Sequence, residues 1–241
     1  MQINPELKQR LQLVMMVAIL VSGVRLAYIL YERHESQVEL AKKQPPPLKS
    51  DYYVTPKKLY PYDLRSARQL TQQPVWVKVG YAYTFYPYDP ARHRVDFSHD
   101  AGKLLPLEKL QIKDVIHDVA PQSPGERQVM AVFEKDGTTY AFSIGSTQGT
   151  EYKFYSDDML FIQDPHELYN YWPRDVWDAI DQHKVKAGMS ELEADFAIGL
   201  GVPEKSGTPG NRTVNYPNGG HPLVVTYRND QVVDIKSGSG N

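Results

Sequence analysis

The stretch "KAGMSELEADFAIGLGVPEK", residues 186–205, carries a start signal, two turns of helix and a stop signal in succession. Ser190 followed by Glu193 is a capping box: the hydroxyl accepts from a free first-turn amide while the carboxylate reaches back to the Ser190 amide. Leu192 and Phe196 fall on one helical face, Gly199 and Gly201 permit a left-handed exit, and Pro203 prevents continuation. Gly188, Met189, Ser190, Glu193, Gly201 and Pro203 are therefore read as structural punctuation around a short helix. Working toward the carboxyl end, "TVNY", "LVVTYR" and "QVVDI" have strand character, the last two joined by Asn229-Asp230, which tolerate the positive φ of a tight hairpin. Working back, "HELYNYWPRDVWDAIDQHKV" is helical in two pieces, broken at Pro173, with Val176, Trp177 and Ile180 spaced as a buried stripe. Residues 164–237 thus predict a two-layer α+β domain, followed by a flexible tail at 238–241.

Those residues also carry a family resemblance. Val185, Gly188, Met189, Ser190, Phe196, Leu200, Gly201, Pro203, Tyr216, Tyr227, Val232 and Ile235 match a pattern of apolar residue, Gly-Met-Ser, short helix, Leu-Gly-x-Pro and closing hairpin. Residues 174–237 on this pattern resemble the SmpA/OmlA, or BamE-like, domain. The resemblance implies a non-catalytic envelope module that acts by protein contact, as in outer-membrane assembly, although this chain has no cysteine to accept a lipid.

Between residues 74 and 163 the period changes to two. In "PVWVKVGYAYTFY", Val75, Val77, Val79, Tyr81, Tyr83 and Phe85 share one face and Trp76, Lys78, Ala82 and Thr84 the other, which is strand alternation. Further strands are expected at 107–115, 127–133, 139–144 and 159–162, with an Asp136-Gly137 hairpin turn. Several short strands without a long helix predict a small antiparallel β-barrel, because closure hides sheet edges. Strand order and length resemble an SH3-like barrel. Aromatic residues crowd "GYAYTFYPYDP", and those outside the core phase, Tyr86 and Tyr88 with Trp76 on the outer face, are candidates for a protein-binding surface.

The amino-terminal part departs from globular composition. After a leader at 1–10, residues 11–31, "LQLVMMVAILVSGVRLAYILY", approach the ~20 apolar residues that cross a bilayer as a helix, with Arg25 as their only charge. A single transmembrane helix in contact with the lipid bilayer is expected. The resulting localisation is a single-pass protein of the bacterial inner membrane with its folded domains in the periplasm. The alternative is a signal peptide cleaved after Val21-Ser22-Gly23, which would release a secreted periplasmic inhibitor or ligand-binding module. Residues 32–73 form a linker through Pro45-Pro46-Pro47 and then a tyrosine- and proline-rich strap.

Composition excludes several chemistries. The absence of cysteine removes disulfides, thiolate metal sites and cysteine nucleophiles. A net charge of −2 with dispersed Lys and Arg offers no field for nucleic acid. His93, His99 beside Asp100, His117 beside Asp118, and Asp157-Asp158 are the groups closest to chemistry, but none has metal-ligand spacing and adjacent strand residues point to opposite faces. No nucleophile elbow, phosphate loop or dinucleotide fingerprint occurs. No catalytic residue, metal or cofactor is expected. The sequence predicts an accessory or scaffold protein that contacts other envelope or membrane proteins, with a histidine-dependent hydrolase at His99 or His117 as the competing class.

Overall fold

The computed structural model describes residues 15–16, 22–33, 54–119 and 125–238. The chain divides into two compact units, Met1–Tyr53 and Val54–Asn241. In the first, residues 22–33 are helical and exposed. Twelve residues reach about 18 Å, well short of a bilayer core of about 30 Å. Among the described residues no helix is long and apolar enough to cross a membrane. This corrects the transmembrane helix expected over 11–31 and, with it, the single-pass inner-membrane localisation. The expected leader and the triple-proline tether lie outside the described residues.

The second unit is mostly β structure arranged in three sheets. It begins with a strap from Val54, then α1 (Leu64–Ala67), whose Asp63 cap accepts from Ser66 while Ser66 bonds back, and a 3-10 turn over Arg68–Gln72. Strands β1 (Val75–Val77), β5 (Lys109–Leu110) and β10 (Leu160–Phe161) form a three-stranded sheet in the order β10-β1-β5. Strands β2 (Thr84–Asp89), β3 (Arg94–Val95), β6 (Ile112–Val119), β7 (Arg127–Lys135) and β8 (Thr138–Gln148) run in the order β3-β2-β8-β7-β6. To this second sheet β4 (Gly102–Lys103) adds on β2, and β9 (Glu151–Phe154) on β8.

The expected single SH3-like barrel is therefore corrected to two facing sheets. Val75, Val77, Leu110 and Leu160 of the small sheet pack on Val115, Val129, Ala131, Phe133, Phe142 and Ile144 of the large one. Only Gln111 separates β5 from β6, so the chain crosses from one sheet to the other without a continuous ladder. The first expected strand is also interrupted. Gly80 passes so close to Pro106 that a Cβ would lie 2.2 Å from its Cγ, and Tyr81 adopts φ +61, which ends the alternation begun at Val75. The Asp136-Gly137 turn has φ +51 and +75, the geometry of a tight two-residue hairpin between β7 and β8.

On the outer face of the large sheet, the 90–100 loop folds back. Val95 joins Met130, Val132 and Ala141, flanked by Tyr86, Tyr88, Phe97 and Ile116. The buried Asp118 ties this loop down: its carboxylate accepts from the Val95 amide at 2.6 Å and from the Val119 amide at 2.7 Å.

The carboxyl-terminal portion carries α2 (Ser156–Met159), α3 (Pro165–Leu168), α4 (Arg174–Asp181) and α5 (Glu191–Ile198). They lead to the antiparallel sheet β11 (Val202–Thr208), β12 (Asn211–Tyr216), β13 (Leu223–Arg228) and β14 (Gln231–Ser237), in that order. Four strands stand where three were expected, because the residues after Pro203 pair with β12. The capping box forms as read: Ser190 N–H donates to Glu193 Oε2 at 2.6 Å and Glu193 N–H to Ser190 Oγ at 3.2 Å. A core of Tyr169, Trp172, Trp177, Ile180, Phe196, Tyr216 and Tyr227 lies between helices and sheet. Trp76 and Phe161 belong to the same core, so it continues onto the back of β1 and β10.

Candidate binding site

The sequence candidates separate on folding. Trp76 is 8% exposed and sits inside the helical core with Lys109 Nζ 5.3 Å from its ring centroid. Tyr86 packs on Phe97 at 5.3 Å and Tyr88 faces His93, with its hydroxyl 3.3 Å from Nδ1. Both rings are half-buried on the outer-face cluster; burial and the carboxylates of Asp114, Asp118 and Asp89 push the Tyr88 hydroxyl above its ordinary pKa. Trp76 thus lies apart from Tyr86 and Tyr88, and the three do not make one surface. Each is half-buried or buried by its own chain.

The polar candidates are likewise dispersed. Asp96, Ser98 and His99 come together in one exposed loop, but both the Ser98 hydroxyl, at 3.0 Å, and the Asp96 carboxylate, at 2.7 Å, meet the same His99 Nδ1. Ser98 Oγ also donates to Asp96 at 2.5 Å. A relay needs the serine on one imidazole nitrogen and the acid on the other; here the three residues instead close a turn. His117 packs at a tilt on Tyr152, with ring centroids 5.5 Å apart; burial, with help from Arg127 and Arg68, lowers its pKa, and its buried Nε2 has no hydrogen-bond partner among the described residues. Lys78 donates to the Asp157 carbonyl and lies 5.0 Å from the Phe161 ring centroid, its pKa lowered chiefly by burial. Among the described residues no group of three or more His, Cys, Asp or Glu could hold a metal ion.

A cleft of about 460 Å³ lies elsewhere, lined by Tyr81, Lys103, Pro217, Gly219 and Gly220. Three local features build it. Tyr81 is held at φ +61, its amide donating to the Leu104 carbonyl at 2.7 Å, which projects the ring toward the 217–220 turn. Asn218, Gly219 and Gly220 all have positive φ, giving the sharp turn that opposes it. Glycine at 219 is required by approach as well, since a Cβ there would lie 2.6 Å from Tyr81 Cε1. Burial raises the Tyr81 pKa, so its hydroxyl stays a neutral donor. The walls are a ring, a proline and glycine backbone, and Lys103 supplies the positive charge. A strained non-glycine backbone in a cleft is a recognised mark of a working surface. Alternation alone puts Tyr81 in the strand core; the sequence signals for the cleft are Gly80 before it and the Asn-Gly-Gly turn far along the chain.

Beside this region runs a polar chain from α5 into the last sheet. Tyr216 and Tyr227 hydroxyls are 2.8 Å apart, and Asp195 bonds to Tyr216 and to the Gly201 amide. Burial first, then repulsion from Glu191, pushes the Asp195 carboxyl up to about 7 against those bonds and the pull of Arg212. Arg212 is itself held by Glu191 at 2.5 and 3.1 Å. A carboxyl whose folded pKa lies above its ordinary 3.8 contributes stability that is complete below the unfolded value and lost as pH rises through 7. Asp195→Asn is accordingly expected to raise the thermal midpoint at about pH 8 and to lose that advantage toward about pH 4. Melting curves at the two pH values check this, and equal differences at both would overturn it.

Compared with family models, with curated proteins and with solved structures, the chain matches none.

Proposed function

We propose that the protein is a non-catalytic scaffold that works by binding another protein, and that the Tyr81 cleft receives an extended acidic stretch of that partner. The observation that carries this is the strained Tyr81, pressed against Gly219 beside Lys103: an aromatic wall, an exposed backbone turn and one cation suit a peptide backbone with a carboxylate. The commitment of His99 to a turn and of Lys78 to a backbone carbonyl supports binding over catalysis. The resemblance of residues 174–237 to the SmpA/OmlA domain implies protein contact as well. A second reading, a ligand-binding module, is favoured by the cleft volume, which falls within the roughly 300–1,000 Å³ of small-molecule pockets.

One experiment separates them. A photo-crosslinking residue at position 217 in the full chain, which lines the cleft and leaves Lys103 in place, is expected to yield a polypeptide adduct. Tyr81→Gly, which removes the ring while suiting the positive φ, should abolish that adduct without unfolding the chain. Recovery of the adduct undiminished in Tyr81→Gly would overturn the cleft assignment, and a small-molecule adduct alone would favour the second reading.

A further inference from the structure

The last sheet has two edges of different character. β11 at one end carries Pro203, a register shift between Pro203 and Gly207, and φ +107 at Gly207. Proline cannot donate and a bulge twists the ladder, so this edge is blunted. β14 at the other end has neither proline nor glycine, and beyond the bulge at Val233 it pairs regularly with β13 from Asp234 to Ser237.

The direction of its backbone groups follows from two contacts. Val232 turns both groups away from β13, donating to the Met189 carbonyl at 2.8 Å and accepting from the Gly188 amide at 2.9 Å, which covers that end of the edge. At the far end, Gly238 N–H donates inward to the Pro222 carbonyl at 2.8 Å. Strand alternation counted back from Gly238 leaves the groups of Asp234 and Lys236 facing β13 and those of Ile235 and Ser237 facing outward. Val233 and Ile235 are 51% and 37% exposed beside this edge, and on the opposite face Asp234 and Lys236 form an ion pair at 2.9 Å.

We infer that β14 pairs antiparallel with β14 of a second copy of this chain, about a two-fold axis through Ile235. The sequence Asp234-Ile235-Lys236 is complementary to itself in that register. Ile235 meets Ile235 of the second copy and exchanges both backbone hydrogen bonds with it, as an outward-facing antiparallel pair does. Asp234 falls opposite Lys236 of the second copy, and Lys236 opposite its Asp234, so two unlike-charge pairs flank the axis. A strand of unrelated sequence would not meet both charges, which is why a second copy is the occupant. The paired sheets would run to eight strands, with the Gly188-Met189 contact on Val232 ending the new ladder on each side. This association is independent of the Tyr81 cleft, and failure of either leaves the other standing.

Sedimentation velocity of the full chain over a concentration series tests it through charge reversal. Asp234→Lys and Lys236→Asp each set like charges opposite one another in a homodimer, and each is expected to weaken dimerisation about tenfold. An equimolar mixture of the two variants restores unlike pairs and is expected to regain the parental dimer. Both side chains are exposed, so thermal midpoints near the parental value confirm that the variants fold. A monomeric parent at every concentration, or association equally strong in the two variants and their mixture, would overturn the inference.

Discussion

Trp76→Ala is expected to destabilise the 54–241 unit by about 3–5 kcal/mol, the range for removing a large buried aromatic. The residue is 8% exposed, and its indole is shared between β1 and a core built from Phe161, Tyr169, Trp172 and Phe196. Those rings pack at defined angles, with Tyr169 and Trp172 at 4.5 Å and Phe161 and Phe196 edge-on at 5.8 Å. A cavity beneath them removes transfer energy and leaves rings without partners. For a unit of this size the midpoint of thermal unfolding should fall by on the order of 10 °C. Because the same core covers β1 and the last sheet, fluorescence of the remaining tryptophans, Trp172 just before α4 and Trp177 within it, and far-ultraviolet circular dichroism of the sheets should shift together. A loss below about 1 kcal/mol, or a shift in one signal alone, would show that Trp76 does not couple the two regions.

Gly201→Ala is expected to cost roughly 1–3 kcal/mol through overpacking, with no contribution from positive φ. An added Cβ would lie 2.2 Å from Val214 Cγ1 and 2.8 and 2.9 Å from the Tyr216 ring. Neither neighbour can withdraw easily: Val214 and Tyr216 are each 1% exposed, and Tyr216 is tied to Tyr227 through its hydroxyl. Combining Gly201→Ala with Val214→Ala removes the nearest obstacle, so the double variant should be more stable than the sum of the single losses predicts. Denaturant titration of the four proteins measures that coupling, and strict additivity would reject the steric account. Gly188→Ala provides the contrast. Its φ is +88 with nothing within 4 Å of an added Cβ, so only the backbone term of roughly 1 kcal/mol remains.

The contrast between these glycines shows what a single chain reveals. Both are punctuation by sequence, and at Gly188 the positive φ is local, as glycine-specific turn chemistry usually is. The sequence allows a left-handed exit at Gly199 and Gly201, and of the two only Gly199 has a positive φ, +81. The requirement for glycine at 201 comes from β12, ten or more residues further on, and no local pattern reports a neighbour brought in by sheet pairing. Trp76 illustrates the same limit. Alternation put it on the face opposite Val75 and Val77, where the structure has it, yet alternation is silent on whether that face meets water or another core. Tyr81 departs further, because the close approach of Gly80 to Pro106 breaks the strand before the alternation reaches it.

The membrane-spanning helix rested on hydropathy over a window, which counts apolar residues without establishing a continuous helix long enough to cross. Among the described residues that length is not reached. The SH3-like barrel rested on strand number, and strand number does not set which edges pair.

The sequence by itself determined the local elements whose causes lie within a few residues: the Ser190–Glu193 capping box, the Asp136-Gly137 and Asn229-Asp230 turns, and the alternation of β1. Capping bonds, turn dihedrals and side-chain phase act over one to four residues, so a short window contains them. Tertiary structure alone decided the three-sheet arrangement, the burial of Trp76, the crowding at Gly201 and the cleft between Tyr81 and the 217–220 turn. Each of these depends on which distant surfaces the chain brings within van der Waals reach, and that is settled by packing the whole unit.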